Sequence, residues 1–479
     1  MESTTSGRID KGRPVVVVGA GIAGLTAARE LVRRGLPVLL IERLPEVGGL
    51  ARCFRYGDFT FDIGPHRFHT YSERALALIR EALGEQYVLI DRCSSVYLFG
   101  RYHTWPLGTS SIFRLPPSVL LRCLGDLLRG RRGGVGDDGD GDDQSFEDYI
   151  VSRYGPTLYD VFFKGYTTKF AHCTPDRLHH SWASQSINRA TIDRRYQQGS
   201  LLDILRIALL PKPKVTKFIY PEGGIDLYAE RVRDAFLADG GRLVTGVQDL
   251  ALETDGKEVT AVCFQGERVE PAWMVWTAPP ADLATGLGVD LPGLDFLSLL
   301  IFNVEVTGQV KTPNQWTYFS DSDLAISRIS FPRNFHPGLV PPGKDGLCVE
   351  VTWSGDPPPP AELSRIEEQV VGELEQVRLV ERGRVERVHS EVVSGAYPVY
   401  RMEYPRQLAS FVHQLSPFAN LLCLGRCGTF WYNNMDDSIE AGLDLAEALA
   451  GPGPAALCPQ HEHAGVIWPA GQRDEFRLT

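Results

Sequence analysis

The run Val15 to Gly24 reads V-V-V-V-G-A-G-I-A-G, and the residues that follow, Leu25 to Arg34, are rich in helix formers. Eighteen residues past Gly24 comes Glu42, at the end of a second apolar run, Val38 to Ile41. Strand, glycine turn, helix, strand and terminal acid in that order make the βαβ unit of a dinucleotide-binding fold. Gly19 permits the tight turn, Gly21 lets backbone approach a pyrophosphate, and Gly24 allows close helix–strand packing. The helix N-terminus adds a positive dipole end for the anion, and Glu42 is placed to accept a ribose hydroxyl.

After Glu42 the chain reads R-L-P-E-V-G-G-L-A-R, a second glycine pair at Gly48 and Gly49 with Arg52 just beyond. This arrangement resembles the flavoprotein group of amine oxidases, protoporphyrinogen oxidase and sugar mutases, in which the GG turn lies along FAD. The alternative is a plain β-turn with a solvated arginine.

The 479 residues allow two or three domains with a sizeable core. The net charge of -11 is concentrated in part on Asp137, Asp138, Asp140, Asp142 and Asp143, and nothing in it favours nucleic acid. Nine scattered cysteines without a C-x-x-C pair read as free thiols of a reducing, cytoplasmic protein. No apolar run reaches the length of a membrane span. Ser118 to Arg132 is a basic amphipathic helix that either packs its leucines inward or lies on a membrane surface.

The fold class expected is α/β: a discontinuous Rossmann-type domain over 14–75, 215–285 and 405–450, a helical insertion and a β-sheet substrate domain over 286–404. The insertion, 76–214, is read as mainly helical with a disordered acidic loop at 133–144, and 1–13 and 451–479 are read as tails.

Further segments narrow the resemblance. Phe61 to Thr70 reads F-D-I-G-P-H-R-F-H-T, Phe162 to Lys169 reads F-F-K-G-Y-T-T-K, and Ala396 to Val399 reads A-Y-P-V. With Ser327 to Phe335 and G-R-C-G-T-F-W-Y-N-N-M-D-D from Gly425, these are similar to the UDP-galactopyranose mutase family, which has G-P-H-x-F-H-T, F-K-G-Y-T-x-K, Y-Y-P-I and G-R-x-G-T-x-x-Y-x-D-M in the same order. The resemblance implies a nucleotide-sugar partner and a change of ring size with no net redox, reduced FAD acting as a nucleophile at the anomeric carbon. External NAD(P)H is a possible reductant, since the chain has no second G-x-G-x-x-G.

Carried over residue by residue, the resemblance implies Arg328 as the diphosphate-binding cation and Tyr166, Tyr397 and Tyr432 as further diphosphate contacts. His66 would abut the flavin and either tune it or accept a proton, and Lys169 and Arg426 would be cationic partners. FAD contacts would come from Gly19, Gly21, Gly24, Glu42, Arg43, Gly49, Leu50, Arg52 and His66 in the first half of the chain. Val247, Gly425, Arg426, Asp436, Ser438 and Ile439 would supply the rest. No metal site is expected.

Three departures bear on the substrate: Asn434 replaces the motif aspartate, Phe170-Ala171 replaces Q-W, and Trp431 stands where the family has arginine. They put UDP-galactose itself in doubt, and a different NDP-sugar, such as a deoxysugar or one with a base other than uracil, is as compatible. Asp436 and Asp437 are either an acid/base pair or the cap of the last helix. Two other readings stay open: an FAD-dependent oxidase or desaturase of the amine oxidase or protoporphyrinogen oxidase type, and a non-enzymatic FAD-binding protein.

Overall fold

A computed structural model describes residues 12–105, 116–130, 144–186, 217–451, 453 and 466–467. The acidic loop 133–144 lies outside the described residues except for Gln144. Val15–Val18 is buried along its whole length and pairs in parallel with Val38–Ile41 on one side and Trp273–Trp276 on the other. A strand covered on both faces has no need of alternating polar residues, which is why four valines in a row form one. Arg242–Val244 extends the sheet beyond Val38–Ile41, and Leu421–Leu424 extends it beyond Trp273–Trp276. Val466–Ile467, within the segment read as a tail, closes that edge as an antiparallel strand.

The helix Ile22–Arg33 packs against Met435–Ala450, the last long helix. Their approach is close at Gly442, where an added Cβ would stand 2.9 Å from the Cβ of Thr26. Two stretches 400 residues apart in sequence therefore build one half of the dinucleotide fold.

The second sheet has seven strands, in the order Val385–Pro398, Phe296–Thr307, Lys344–Ser354, Arg328–Ser330, Trp316–Phe319, Ser94–Leu98 and Arg101–Thr104. The last two of these, Ser94–Leu98 and Arg101–Thr104, and Tyr87–Asp91, which pairs with Lys217–Pro221, are strands within the stretch 76–214 read as mainly helical. Tyr-Val-Leu-Ile and Ser-Ser-Val-Tyr-Leu are β-branched and aromatic stretches too short for stable helices, and a sheet edge elsewhere in the chain completes them. Among the described residues no helix is long and apolar enough to cross a membrane.

The hairpin Cys53–Tyr56 and Phe59–Asp62 delivers the loop that carries His66. Asp62, buried at the hairpin's end, accepts hydrogen bonds from Cys53 Sγ at 3.1 Å, Tyr220 Oη at 2.8 Å and Ile225 N at 3.1 Å. At the far end, Phe68 and Ile219 exchange both backbone hydrogen bonds, at 2.9 and 3.0 Å. The loop is thus fixed at both ends, and His66 and Arg67 project from it.

Candidate active site

The glycine motifs interlock. Gly21 and Gly48 form a parallel bridge, Gly48 N donates to Ala20 O at 2.8 Å, and a Cβ at Gly49 would sit 3.1 Å from Gly21 Cα. Gly24 is needed for packing alone, because its Cβ would stand 2.0 Å from Gly19 O. At Gly21, by contrast, an added Cβ would meet nothing closer than Gly49 Cα at 4.0 Å. Gly21 caps the helix without a side-chain hydrogen bond, so the first-turn N–H groups have no side-chain partner from the cap. Glu42 lies against this turn, accepting from Ala20 N at 2.7 Å and Leu44 N at 2.9 Å, and Val247 N donates to Glu42 O at 3.0 Å. Arg52 Nε braces the second turn through Gly49 O at 2.7 Å, and Leu50 packs at the edge of the core.

Facing this half is a wall built on the second sheet. Arg328 pairs in register with Glu350 on one neighbouring strand and with Tyr318 on the other, so the three side chains share one face. Arg328 Nε and Nη2 each donate to a Glu350 carboxylate oxygen at 2.6 Å, and Nη2 also donates to Tyr397 Oη at 3.0 Å. Glu350 is buried, and Gly64 on the His66 loop leaves room for the pair: a Cβ there would lie 2.9 Å from Glu350 Oε1. Tyr397 packs against Tyr432 at 5.1 Å and Phe170 at 5.4 Å. Tyr166 meets Tyr318 edge-on at 6.4 Å. Tyr166 sits on the helix Gly165–Ala171, which continues from a π-helical turn at Tyr159–Lys164, an irregularity frequent beside functional sites. Burial raises the pKa of Tyr166, Tyr397 and Tyr432, so all three phenols stay protonated donors.

His66 lies between the two halves. Its Nδ1 is buried with no hydrogen-bond partner, and burial, reinforced by Arg426, Arg328 and Arg67, lowers its pKa to about 3. The imidazole is neutral at ordinary pH and only a weak base there, and its unpartnered Nδ1 is left for a hydrogen bond.

Other residues singled out from sequence have occupations of their own. Lys169 donates to three carbonyls, Phe319 O at 2.7 Å and Asp321 O and Ile326 O at 2.9 Å, and so braces the turn between two strands. Arg426 donates to Ala396 O at 3.1 Å and to Asn433 O, with its guanidinium over the rings of Tyr397 and Tyr432 at 5.6 and 5.2 Å. It positions the two tyrosines. Arg43 is exposed and pairs with Asp282 at 3.5 Å. Gly425, at φ 76°, lets the chain leaving Leu421–Leu424 turn over Ala23, where a Cβ would come within 2.7 Å. Asn434 is exposed at the N-cap of the last helix, its backbone N donating to Asp437 Oδ2 at 2.8 Å, which makes Asp437 a capping residue. Asp436 is half-buried, Ser438 accepts from Asn433 Nδ2 at 3.0 Å, and the fully buried Ile439 has only backbone to offer a ligand. Glu350, Tyr318 and Trp316 lie outside the motifs quoted above, and strand register sets Glu350 and Tyr318 beside Arg328; Arg67 fills the open position of G-P-H-x-F-H-T.

Residues 17–82 match the family NAD(P)-binding Rossmann-like domain. A solved structure of reduced UDP-galactopyranose mutase superposes with a TM-score of 0.77 at 22% identity, over 92% of this chain and 96% of that one. The fold is that of UDP-galactopyranose mutase. In sequence, the chain is 29% identical over 169 residues to a probable UDP-galactopyranose mutase of Klebsiella pneumoniae, covering 34% of this chain and 42% of that protein. It is 34% identical over 285 residues to the zeta-carotene-forming phytoene desaturase of Myxococcus xanthus, covering 55% of this chain and 52% of the relative. The matched region thus spans about half or less of each of these curated relatives. The UDP-galactopyranose mutase fold accounts for both sheets, including the split of the dinucleotide half between the two ends of the chain.

Proposed function

We propose that the chain is a nucleotide-sugar mutase that holds FAD in its glycine cradle, works with the cofactor reduced, and interconverts pyranose and furanose forms with no net redox. The cradle fits the group: Gly21 is open where a pyrophosphate would approach, a helix N-terminus stands behind it, and Glu42 lies beside it for a ribose. Gly19, Gly24, Gly49 and Arg52 shape the turns, with Val247 and Gly425 at the margins. When bound, reduced FAD supplies a nucleophilic nitrogen for the anomeric carbon. External NAD(P)H is the proposed source of its electrons.

The observation that carries this reading is the Arg328–Glu350 pair with Tyr397 hydrogen-bonded to the same guanidinium. Glu350 fixes the plane of the arginine, and Tyr166, Tyr397 and Tyr432 add phenolic donors around it. Donors placed in advance stabilise the negative charge that collects on a departing nucleoside diphosphate. The aromatic rings keep water from the sugar while it is detached. Neutral His66 offers a hydrogen bond without adding a further positive charge.

A second reading, an oxidase or desaturase, draws support from the Myxococcus relative, whose match covers more of this chain than the mutase's does. Arginine and phenol groups suit an oxyanion better than a hydrocarbon chain, and we therefore place it second. The test is anaerobic: the yellow protein is reduced with dithionite, offered NDP-hexoses, and assayed for ring isomers. Isomerisation that requires reduced enzyme supports the mutase. No isomer, together with oxygen uptake by oxidised enzyme on an amine or alcohol, overturns it.

A further inference from the structure

Of the three phenols on the wall, Tyr166 sits on a helix and Tyr397 on a strand, but Tyr432 lies in neither. It belongs to the stretch 429–434, which joins the short helix Gly425–Gly428 to Met435–Ala450. No regular ladder of hydrogen bonds holds its main chain, so its place in the site has to be set by other means. Phe430, two residues earlier, stands at φ 52°, a left-handed conformation that a bulky side chain seldom adopts. Packing keeps it there: it is buried, edge-on to Phe296 at 5.1 Å, with Tyr400 at 6.0 Å and Tyr404 at 6.2 Å. Backbone strain of this kind persists where the surroundings over-determine it, and it collects at functional sites.

Three hydrogen bonds hold the chain that leaves this kink. Trp431 N donates to Arg426 O at 3.0 Å, and Asn433 O accepts from the Arg426 guanidinium. Between them, Tyr432 N donates to Tyr400 Oη at 2.8 Å. Arg426 belongs to the same turn, whereas Tyr400 comes from beyond the end of Val385–Pro398, and only its bond ties Tyr432 to another element. Tyr400 is itself well anchored. Its buried ring stacks on Tyr404 at 4.4 Å with the planes 11° apart, and its carbonyl accepts from His179 N at 2.8 Å. Held from this point, the ring of Tyr432 comes to lie 5.1 Å from that of Tyr397, with Arg426 5.2 Å from its centre.

We propose that Tyr400 is a positioning residue for the diphosphate: by accepting the Tyr432 amide after the Phe430 kink, it sets where Tyr432 presents its own phenol. The inference rests on the nucleotide-sugar reading above, in which Tyr432 is a diphosphate donor. The test is a double-mutant cycle on the flavin-loaded protein with Tyr400→Phe and Tyr432→Phe. Equilibrium binding is measured for UDP, dTDP, GDP, ADP and CDP. Tyr400→Phe keeps the ring and its stacking, and should weaken the nucleoside diphosphate that wild type binds best by about tenfold at unchanged flavin content. The double variant should bind within about twofold of Tyr432→Phe alone, because Tyr400 acts through that phenol. Losses that multiply to about a hundredfold would show that Tyr400 acts by another route and overturn the proposal. Wild-type binding by Tyr400→Phe overturns it as well, and leaves the nucleotide-sugar reading in place. Wild type that binds none of the five removes that reading and this inference with it. Hydrogen exchange of the Tyr432 amide, read in wild type, needs no variant to fold. Exchange at least about tenfold slower than in an open loop is expected, and exchange at the open-loop rate overturns the proposal.

Discussion

Glu350 grips Arg328 from the register-paired position on the adjacent strand, both hydrogen bonds at 2.6 Å, with the carboxylate 2% exposed and the guanidinium 17%. An ion pair so placed ties the electrostatics of the site to the stability of the sheet. Removing one partner leaves the other buried and uncompensated.

Arg328→Ala should therefore do more than lower turnover. We expect a stability loss of about 3–5 kcal/mol, read as a lower midpoint in chemical denaturation. The double variant Arg328→Met with Glu350→Leu should regain most of that stability while turnover stays at least about a hundredfold down. A double variant that recovered activity as well would deny Arg328 its part in the chemistry.

His66 predicts a pH effect with a definite sign. Its folded pKa, about 3, lies below the ordinary 6.5, so the unfolded chain takes up a proton between these values that the folded chain refuses. Stability falls as pH drops from about 6.5 toward 3. Replacing His66 with Gln should make that acid limb shallower in urea titrations at stepped pH; an unchanged slope would show that the imidazole is protonated in the fold.

Gly21 and Gly24 separate ligand from packing. Gly24→Ala places a methyl 2.0 Å from Gly19 O and should yield poorly folded protein. Gly21→Ala has no such clash and should fold with near-native circular dichroism but purify colourless. Yellow Gly21→Ala protein with stoichiometric flavin would contradict the cradle.

Lys169→Met removes the ammonium from three carbonyls and should cost about 2–3 kcal/mol, because each acceptor loses a charge-assisted partner. Flavin content in the folded fraction should be unchanged. A variant of native stability would show that water replaces the lysine at no cost.

The dinucleotide half was legible in sequence because its chemistry is local. The valine run, three spaced glycines and Glu42 fall within 28 residues, and each follows from backbone sterics. The wall was legible only in part. Arg328 and Tyr397 stood in recognisable stretches, but Glu350 lies 22 residues from its partner, and strand register alone brings them together. Two of the strands over 87–104 were missed because they find partners more than a hundred residues away, and the third only closes a hairpin on one of them. Lys169 and Arg426 stand in motifs plain in the sequence, but the backbone carbonyls they hold lie on other segments of the chain, which a charge in a sequence does not reveal.

The helix that seals the first βαβ unit, Met435–Ala450, is made only after the whole second sheet. A ribosome that has released the first strand, its glycine turn and even the whole second sheet still holds a dinucleotide fold open along one side. The second sheet, complete once Val385–Pro398 has emerged, is free to assemble before the nucleotide half closes. Cofactor uptake is thereby deferred until Met435–Ala450 has emerged, and a chain stopped after Val385–Pro398 would carry a complete second sheet and no finished seat for a dinucleotide.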